Sequence, residues 1–243
     1  MNVVTKIGAA ACGVAAAIAG VGAPAGAHGG GHPSHANNAN HNSHVGHGGH
    51  GQTGGTASGA ASIDGRSSVA VVRLGQLNDS GAHGVAVVRL RGTRVSLHLV
   101  VSGVLRNAPH AMHFHAGAAG RCPTRAADVN SDGVVSVTEG HPFYGGVVTS
   151  LTTSGDTSPS SALAIDRFPT APRGTIVYHR QLTVTADVAA SIRARNAVLV
   201  VHGTDGNNSG TYDGALVSDL DPNLPMEATA PAACGAILPF LTL

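Results

Sequence analysis

Lysine is nearly missing from this 243-residue chain. Lys6 is the only one, so beyond it positive charge rests on arginine and on any protonated histidine. Arginine does not make up the deficit: Lys+Arg total 14 against 13 Asp+Glu, a formal net charge of +1. Such a balance offers no basic face for nucleic acid or for an anionic membrane. Cysteine is scarce as well, at Cys12, Cys122 and Cys234. The chain has no G-x-S-x-G, C-x-x-C, H-E-x-x-H or P-loop pattern, so no serine or cysteine nucleophile with its base can be argued. Beyond the N-terminal segment, no run is long and apolar enough to span a membrane. Histidine is what the chain has in quantity: 15 residues, seven of them between 28 and 62.

The N-terminal segment carries Lys6 ahead of a long Ala, Gly, Val and Ile run that ends in Ala25-Gly26-Ala27. It reads as a signal peptide, residues 1–27, cleaved after Ala27, which implies a secreted or extracytoplasmic (cell-envelope) protein. A retained membrane anchor is the rival reading. Cleavage leaves Cys122 and Cys234, and two cysteines in an exported chain suggest one disulfide, with free thiols as the alternative. Residues 28–62 hold little besides Gly, Asn, Ser, Ala, Thr and histidine. Such a stretch cannot bury enough apolar surface to offset its ordering entropy, so a disordered tail is expected. Its His28, His32, His35, His41, His44, His47 and His50 recur every three to six residues, a tract that can wrap Cu²⁺, Zn²⁺ or Ni²⁺. A plain spacer is the other reading.

From residue 63 onward the texture is that of one β domain. The runs SSVAVVRLGQL, GVAVVRLRG, RVSLHLVVSGVL, AMHFHAG, TIVYHRQLTV and NAVLVVHG are short, β-branched and bounded by Gly, Asn and Asp. One short helix is expected at 186–195. Strands without intervening helices predict an all-β antiparallel sandwich or barrel. Two stretches, 116–173 and 203–233, are poor in strand signal, and long loops in a compact β domain are usually functional.

The segment HAMHFHAGAAGRC, residues 110–122, concentrates three histidines. On a strand, residues two apart face the same side, so His113 and His115 project together. His202 ends a second apolar strand. Two histidines on a strand are as readily a satisfied core or surface pair as a metal site. His98 and His179 are lone strand histidines with a structural reading, and His83 sits in a turn.

SGVLRNAPHAMHFHAGAAGRC resembles the copper/zinc superoxide dismutases, whose pattern is glycine-leucine, a short turn, H-x-x-H-x-H, then glycine and cysteine. AVLVVHG resembles that family's later copper-histidine strand, and PAACGAI its C-terminal cysteine strand. The resemblance spans roughly residues 67–237. It implies an eight-stranded Greek-key barrel, a Cys122–Cys234 disulfide, copper ligands His113, His115 and His202, and a supporting role for His110. The departures are specific. Asp128 stands near the place of the metal-bridging histidine, and no histidine follows until His141. If His141 takes the last zinc-histidine place, Tyr144 occupies that of the zinc aspartate. A complete zinc site cannot be assembled, so zinc is not expected in the barrel. Pro231 replaces the arginine that guides superoxide. MHFHAGAAG followed by GGVVTSL is also similar to the chordin-type domain, a related β fold usually without catalytic metal.

DVNSDGVVSVTE, residues 128–139, matches the D-x-[DN]-x-[DN]-G-x5-E calcium loop at every position. Asp128, Asn130 and Asp132 supply oxygens, Gly133 turns the chain, Val134 offers a carbonyl, Ser136 holds the ninth place and Glu139 can bind bidentately. The flanks do not read as paired helices, so an isolated calcium loop is expected. DGNNSGTYDG, residues 205–214, has the same texture but lacks the final glutamate, and reads as a turn-rich loop. The expectation is an exported, dismutase-like, copper-binding barrel with superoxide or metal ions as partners, copper and calcium as cofactors, and no stated oligomeric order. A non-catalytic metal-binding or calcium-stabilised module is the alternative.

Overall fold

The computed structural model describes residues 67–241. The expected signal peptide and the histidine tail, His28 through His50, lie outside them. Eight strands follow in order: β1 (Ser68–Gln76), β2 (His83–Arg91), β3 (Arg94–Ser102), β4 (Met112–Ala116), β5 (Gly146–Ser150), β6 (Thr175–Thr183), β7 (Val198–His202) and β8 (Pro231–Ala236). The helices are short: α1 (Val137–Tyr144), α2 (Ala186–Arg193) and α3 (Met226–Thr229). Every strand pair is antiparallel, in the order β5-β4-β7-β8-β1-β2-β3-β6. This is the expected all-β architecture. The hydrogen-bonded ladder does not close into a full barrel, however, and β5 and β6 are its two ends. Side chains span that seam. Tyr178 on β6 donates to the Thr152 carbonyl at 3.0 Å, and Arg180 donates to the Thr152 and Gly155 carbonyls, each at 2.6 Å.

The two halves of the sheet differ in a way that decides where a site can form. In β2, β3 and β6 the alternation is clean: Ala86, Val88, Leu90, Leu97, Leu99, Ile176 and Leu182 point inward and are buried. Each valine, leucine or isoleucine among them contributes about 1.5–3 kcal/mol through burial. Their outward neighbours, including Val85, Val100 and Val177, are exposed. β4 and β7 are instead buried along their whole length. Met112, Phe114, Leu199 and Val201 enter the main core, while Val198 and Val200 pack on the other side with Tyr144 and Cys234. The long segments at 117–145, 151–174 and 203–230 lie between these strands in sequence, and residues of each reach the histidines of β4 and β7.

Cys122 and Cys234 form the expected disulfide, with Cα atoms 5.8 Å apart. It ties the 117–145 segment to β8 across 112 residues of sequence. Reduction is expected to lower stability by about 4–5 kcal/mol on the chain-entropy account. Denaturant melts with and without a reductant measure this, and coincident curves would contradict it.

The expected helix at 186–195 ends sooner, at Arg193. The Thr185 side chain caps it by accepting from Val188 N, and Arg195 adopts a φ of 61° beyond its end. β5 lies inside a stretch that reads as strand-poor. Its five residues show no alternation of burial, so only pairing with β4 defines it.

Candidate metal centre

β4 delivers His113 and His115 to the same face, as period-two geometry requires. β7 pairs with β4 in the register His113↔Val200, which sets His202 beside them. A register shift between Val201 and His202 follows, where β7 meets β8. The ring centroids of His113 and His202 lie 5.1 Å apart, those of His113 and His115 5.6 Å, and those of His115 and His202 5.7 Å. Candidate ligand atoms of the three lie within 4.8 Å of one another, and no other such group of His, Cys, Asp or Glu occurs among the described residues. All three are buried.

Each ring uses one nitrogen on a backbone carbonyl. His113 Nε2 faces Ala162 O at 3.1 Å, His115 Nδ1 faces Gly145 O at 2.9 Å, and His202 Nδ1 faces Thr229 O at 2.7 Å. A carbonyl can only accept, so each of these nitrogens carries the proton and donates it. The other nitrogen of each ring is then a bare lone pair. Among the described residues these three, His113 Nδ1, His115 Nε2 and His202 Nε2, are the only buried side-chain polar atoms without a hydrogen-bond partner. Orphaned buried polar atoms are costly and rare. Three in one place, each on a ring aimed through its opposite nitrogen, is the arrangement that metal-ligating histidines adopt.

Burial keeps the rings neutral. It pushes His115 down to about 3 and His202 to about 4, and His113 well below the ordinary imidazole range, with the neighbouring histidines adding to the shift for His113 and His115. Neutral imidazole is the metal-binding form.

His110 is fully buried and faces away from this group. Its Nδ1 meets His202 O at 2.9 Å, its Nε2 meets Leu105 O at 3.0 Å, and Tyr212 Oη lies 3.1 Å from Nδ1. As a neutral ring it has one proton to donate, and with that proton on Nδ1 it holds the His202 backbone in place. Gly203 makes this possible: its φ is +104°, and a Cβ there would lie 2.2 Å from Tyr212 Oη and 2.8 Å from His110 Nδ1. His141 lies on α1, exposed, and outside the convergent group. Tyr144 is buried against the His115 ring, with centroids 4.6 Å apart, and donates to Val137 O. His98 and His179 stack on each other at 3.9 Å on the open face of the sheet.

The 128–139 segment folds as a loop closed by its own last residue. Asp128 accepts from Asp132 N and Gly133 N, Asn130 from Asp132 N, and Asp132 from Val134 N. Glu139 reaches back to Val129 N and Asn130 N through Oε1 and to Ser136 N through Oε2. Ser136 caps α1 in return. One flank is therefore a helix, and the other only a single turn at Arg125–Ala127. Val135 is buried, and its N–H and C=O are both bound by the Asn78 side chain.

The 205–214 segment repeats the main backbone contacts of this pattern. Asp205 accepts from Ser209 N and Gly210 N, and Asn207 from Ser209 N. The missing glutamate comes from α3. Glu227 accepts from Gly206 N and Asn207 N through Oε1, and from Asp213 N and Gly214 N through Oε2. Positive φ angles fall at matching places, Ser131 and Gly133 in one loop and Asn208 and Gly210 in the other. Sequence reasoning missed Glu227 because it lies 22 residues after Asp205 rather than eleven. It also missed the three aiming carbonyls, since backbone acceptors carry no residue signature.

No family model matches this chain. No curated protein matches it either.

Proposed function

We propose that the protein binds copper through His113 Nδ1, His115 Nε2 and His202 Nε2, on a Greek-key sheet of the superoxide dismutase type. The observation that carries this reading is the set of three buried lone pairs with no other partner. Neutral imidazoles suit copper and zinc alike, and the order of affinities at such a site favours Cu²⁺. The strand order supports the fold assignment: the β3–β4 and β6–β7 connections each cross between the two halves of the sheet. Buried orphan nitrogens count against the metal-free chordin-type alternative. The disulfide, and the reading of residues 1–27 as a signal peptide, fit an exported protein.

Copper bound here would supply one-electron redox chemistry, and the resemblance makes superoxide the substrate to test first. The protein's own part is to hold three imidazoles neutral and aimed, with His110 against the His202 backbone and Tyr212 against His110. Among the described residues no arginine or lysine lines the cavity above the histidines, so none of them steers an anion there. Dismutation is therefore expected to be slow per copper and insensitive to ionic strength. Metal analysis of the copper-loaded mature protein, with superoxide turnover per bound copper, tests the reading. The wild type is expected to bind one copper more per chain than the His113→Ala/His115→Ala variant, which keeps the histidine tract of residues 28–62. Equal copper in the two would overturn the reading.

A second reading concerns calcium, favoured by the recurrence of one closed-loop pattern at two places in the chain. We propose that calcium binds the Asp128–Glu139 loop, drawing together carboxylates that do not converge without it, and likewise the loop that Glu227 closes. Calcium should raise the melting temperature. Glu139→Ala should remove one part of that gain and Glu227→Gln another, whereas magnesium, which demands tighter octahedral geometry, should substitute poorly. Millimolar calcium that leaves all three melting curves unmoved would sink this reading.

A further inference from the structure

The three histidines form one wall of a cavity of about 710 Å³. Its other walls are mostly apolar, with Val137, Val147, Leu163, Ile165, Leu220 and Leu224 prominent. Among the described residues Asp221 is its only acidic lining residue, and no basic side chain other than histidine lines it. The volume falls within the range of small-molecule sites, about 300–1,000 Å³, and is far larger than a diatomic anion needs. Leu163, Ile165 and Leu220 remain 45–49% exposed although they border this cavity. Apolar side chains gathered and left exposed around a concave site are characteristic of ligand binding.

From this we infer that the cavity takes a neutral, mainly apolar organic molecule bearing one nitrogen or oxygen donor atom, with the donor turned toward the histidine wall and the apolar body against the leucines. The inference rests on the copper reading for the donor end only. A small anion could use the metal but would gain nothing from the apolar side chains that make up most of these walls. An apolar body is favoured in proportion to the area it removes from water.

Two measurements separate the parts. In the first, imidazole, 4-phenylimidazole and azide are titrated into the copper-loaded full chain and followed by the copper(II) electron paramagnetic resonance spectrum. 4-Phenylimidazole should bind at least tenfold more tightly than imidazole. Leu224→Asp and Leu163→Asp should each erase that advantage while copper stoichiometry and imidazole affinity stay as in the wild type. Equal affinities for the two imidazoles, or an advantage that survives both substitutions, would overturn the inference. In the second, the neutral dye Nile red is added to metal-free protein. Saturable one-to-one fluorescence, lost in Leu224→Asp, supports the cavity even if copper fails to bind, in which case only the metal reading falls. Absence of dye binding, or dye binding lost as the protein self-associates with rising concentration, would overturn the cavity's assignment to a small molecule.

Discussion

His202→Ala is expected to lower copper affinity by more than a hundredfold. Removing a partner that merely orients a ligating histidine commonly costs 10–100-fold, and His202 is itself one of the three converging residues that could hold the ion. Its loss leaves the two histidines of β4 and frees the Thr229 carbonyl it held. His110→Ala should have the smaller effect typical of an orienting residue, because it acts only through the His202 backbone. Copper competition titrations against a chelator of known affinity measure both. A His202→Ala protein that keeps wild-type affinity would place the metal elsewhere.

Acid should destabilise the metal-free domain in a defined window. The unfolded chain titrates its histidines near the ordinary value of about 6.5, whereas His202 and His115 in the fold titrate at about 4 and about 3. Above pH 6.5 both states hold neutral rings and stability is complete. As pH falls from 6.5 toward 4, the unfolded chain takes up protons that the fold refuses. Each such histidine then costs about 1.4 kcal/mol per pH unit, for a total on the order of several kcal/mol. The lowered carboxylates Glu139, Asp156 and Asp213 act at lower pH, so the interval from 6.5 to 4.5 isolates the histidines. Bound copper, which needs the neutral rings, should move the loss to lower pH. Urea unfolding of metal-free protein at pH 7, 5.5 and 4.5 measures this, and a flat profile would contradict the buried triad.

Much of the fold and the heart of the site are legible in the sequence, and the reasons are local. β2, β3 and β6 alternate apolar and polar residues because one face of each is wet. His113 and His115 can be paired from strand period alone. The resemblance, rather than any local pattern, brings in His202 and the Cys122–Cys234 pairing. β5 escapes notice because strand pairing, not composition, makes it a strand. α1 escapes because its start is fixed by the Ser136–Glu139 capping box, whose two residues also read as calcium ligands. Glu227 escapes because the chain makes an excursion before returning it to the loop that Asp205 opens. Proximity created by tertiary folding leaves no spacing to read.

The three carbonyls that aim the imidazoles belong to three separate excursions of the chain: Gly145 follows β4, Ala162 follows β5 and Thr229 follows β7. Affinity for the ion is therefore a shared property of segments that are remote in sequence. By thermodynamic reciprocity, an ion that requires all three rings aimed also stabilises the three excursions against local opening. Amide protection should rise in all of them together when the metal is added, and a proteolytic cut in any one should weaken the hold of the other two. With an ion held there, the centre would work as a latch, through which far-apart stretches of chain open and close as a single cooperative unit.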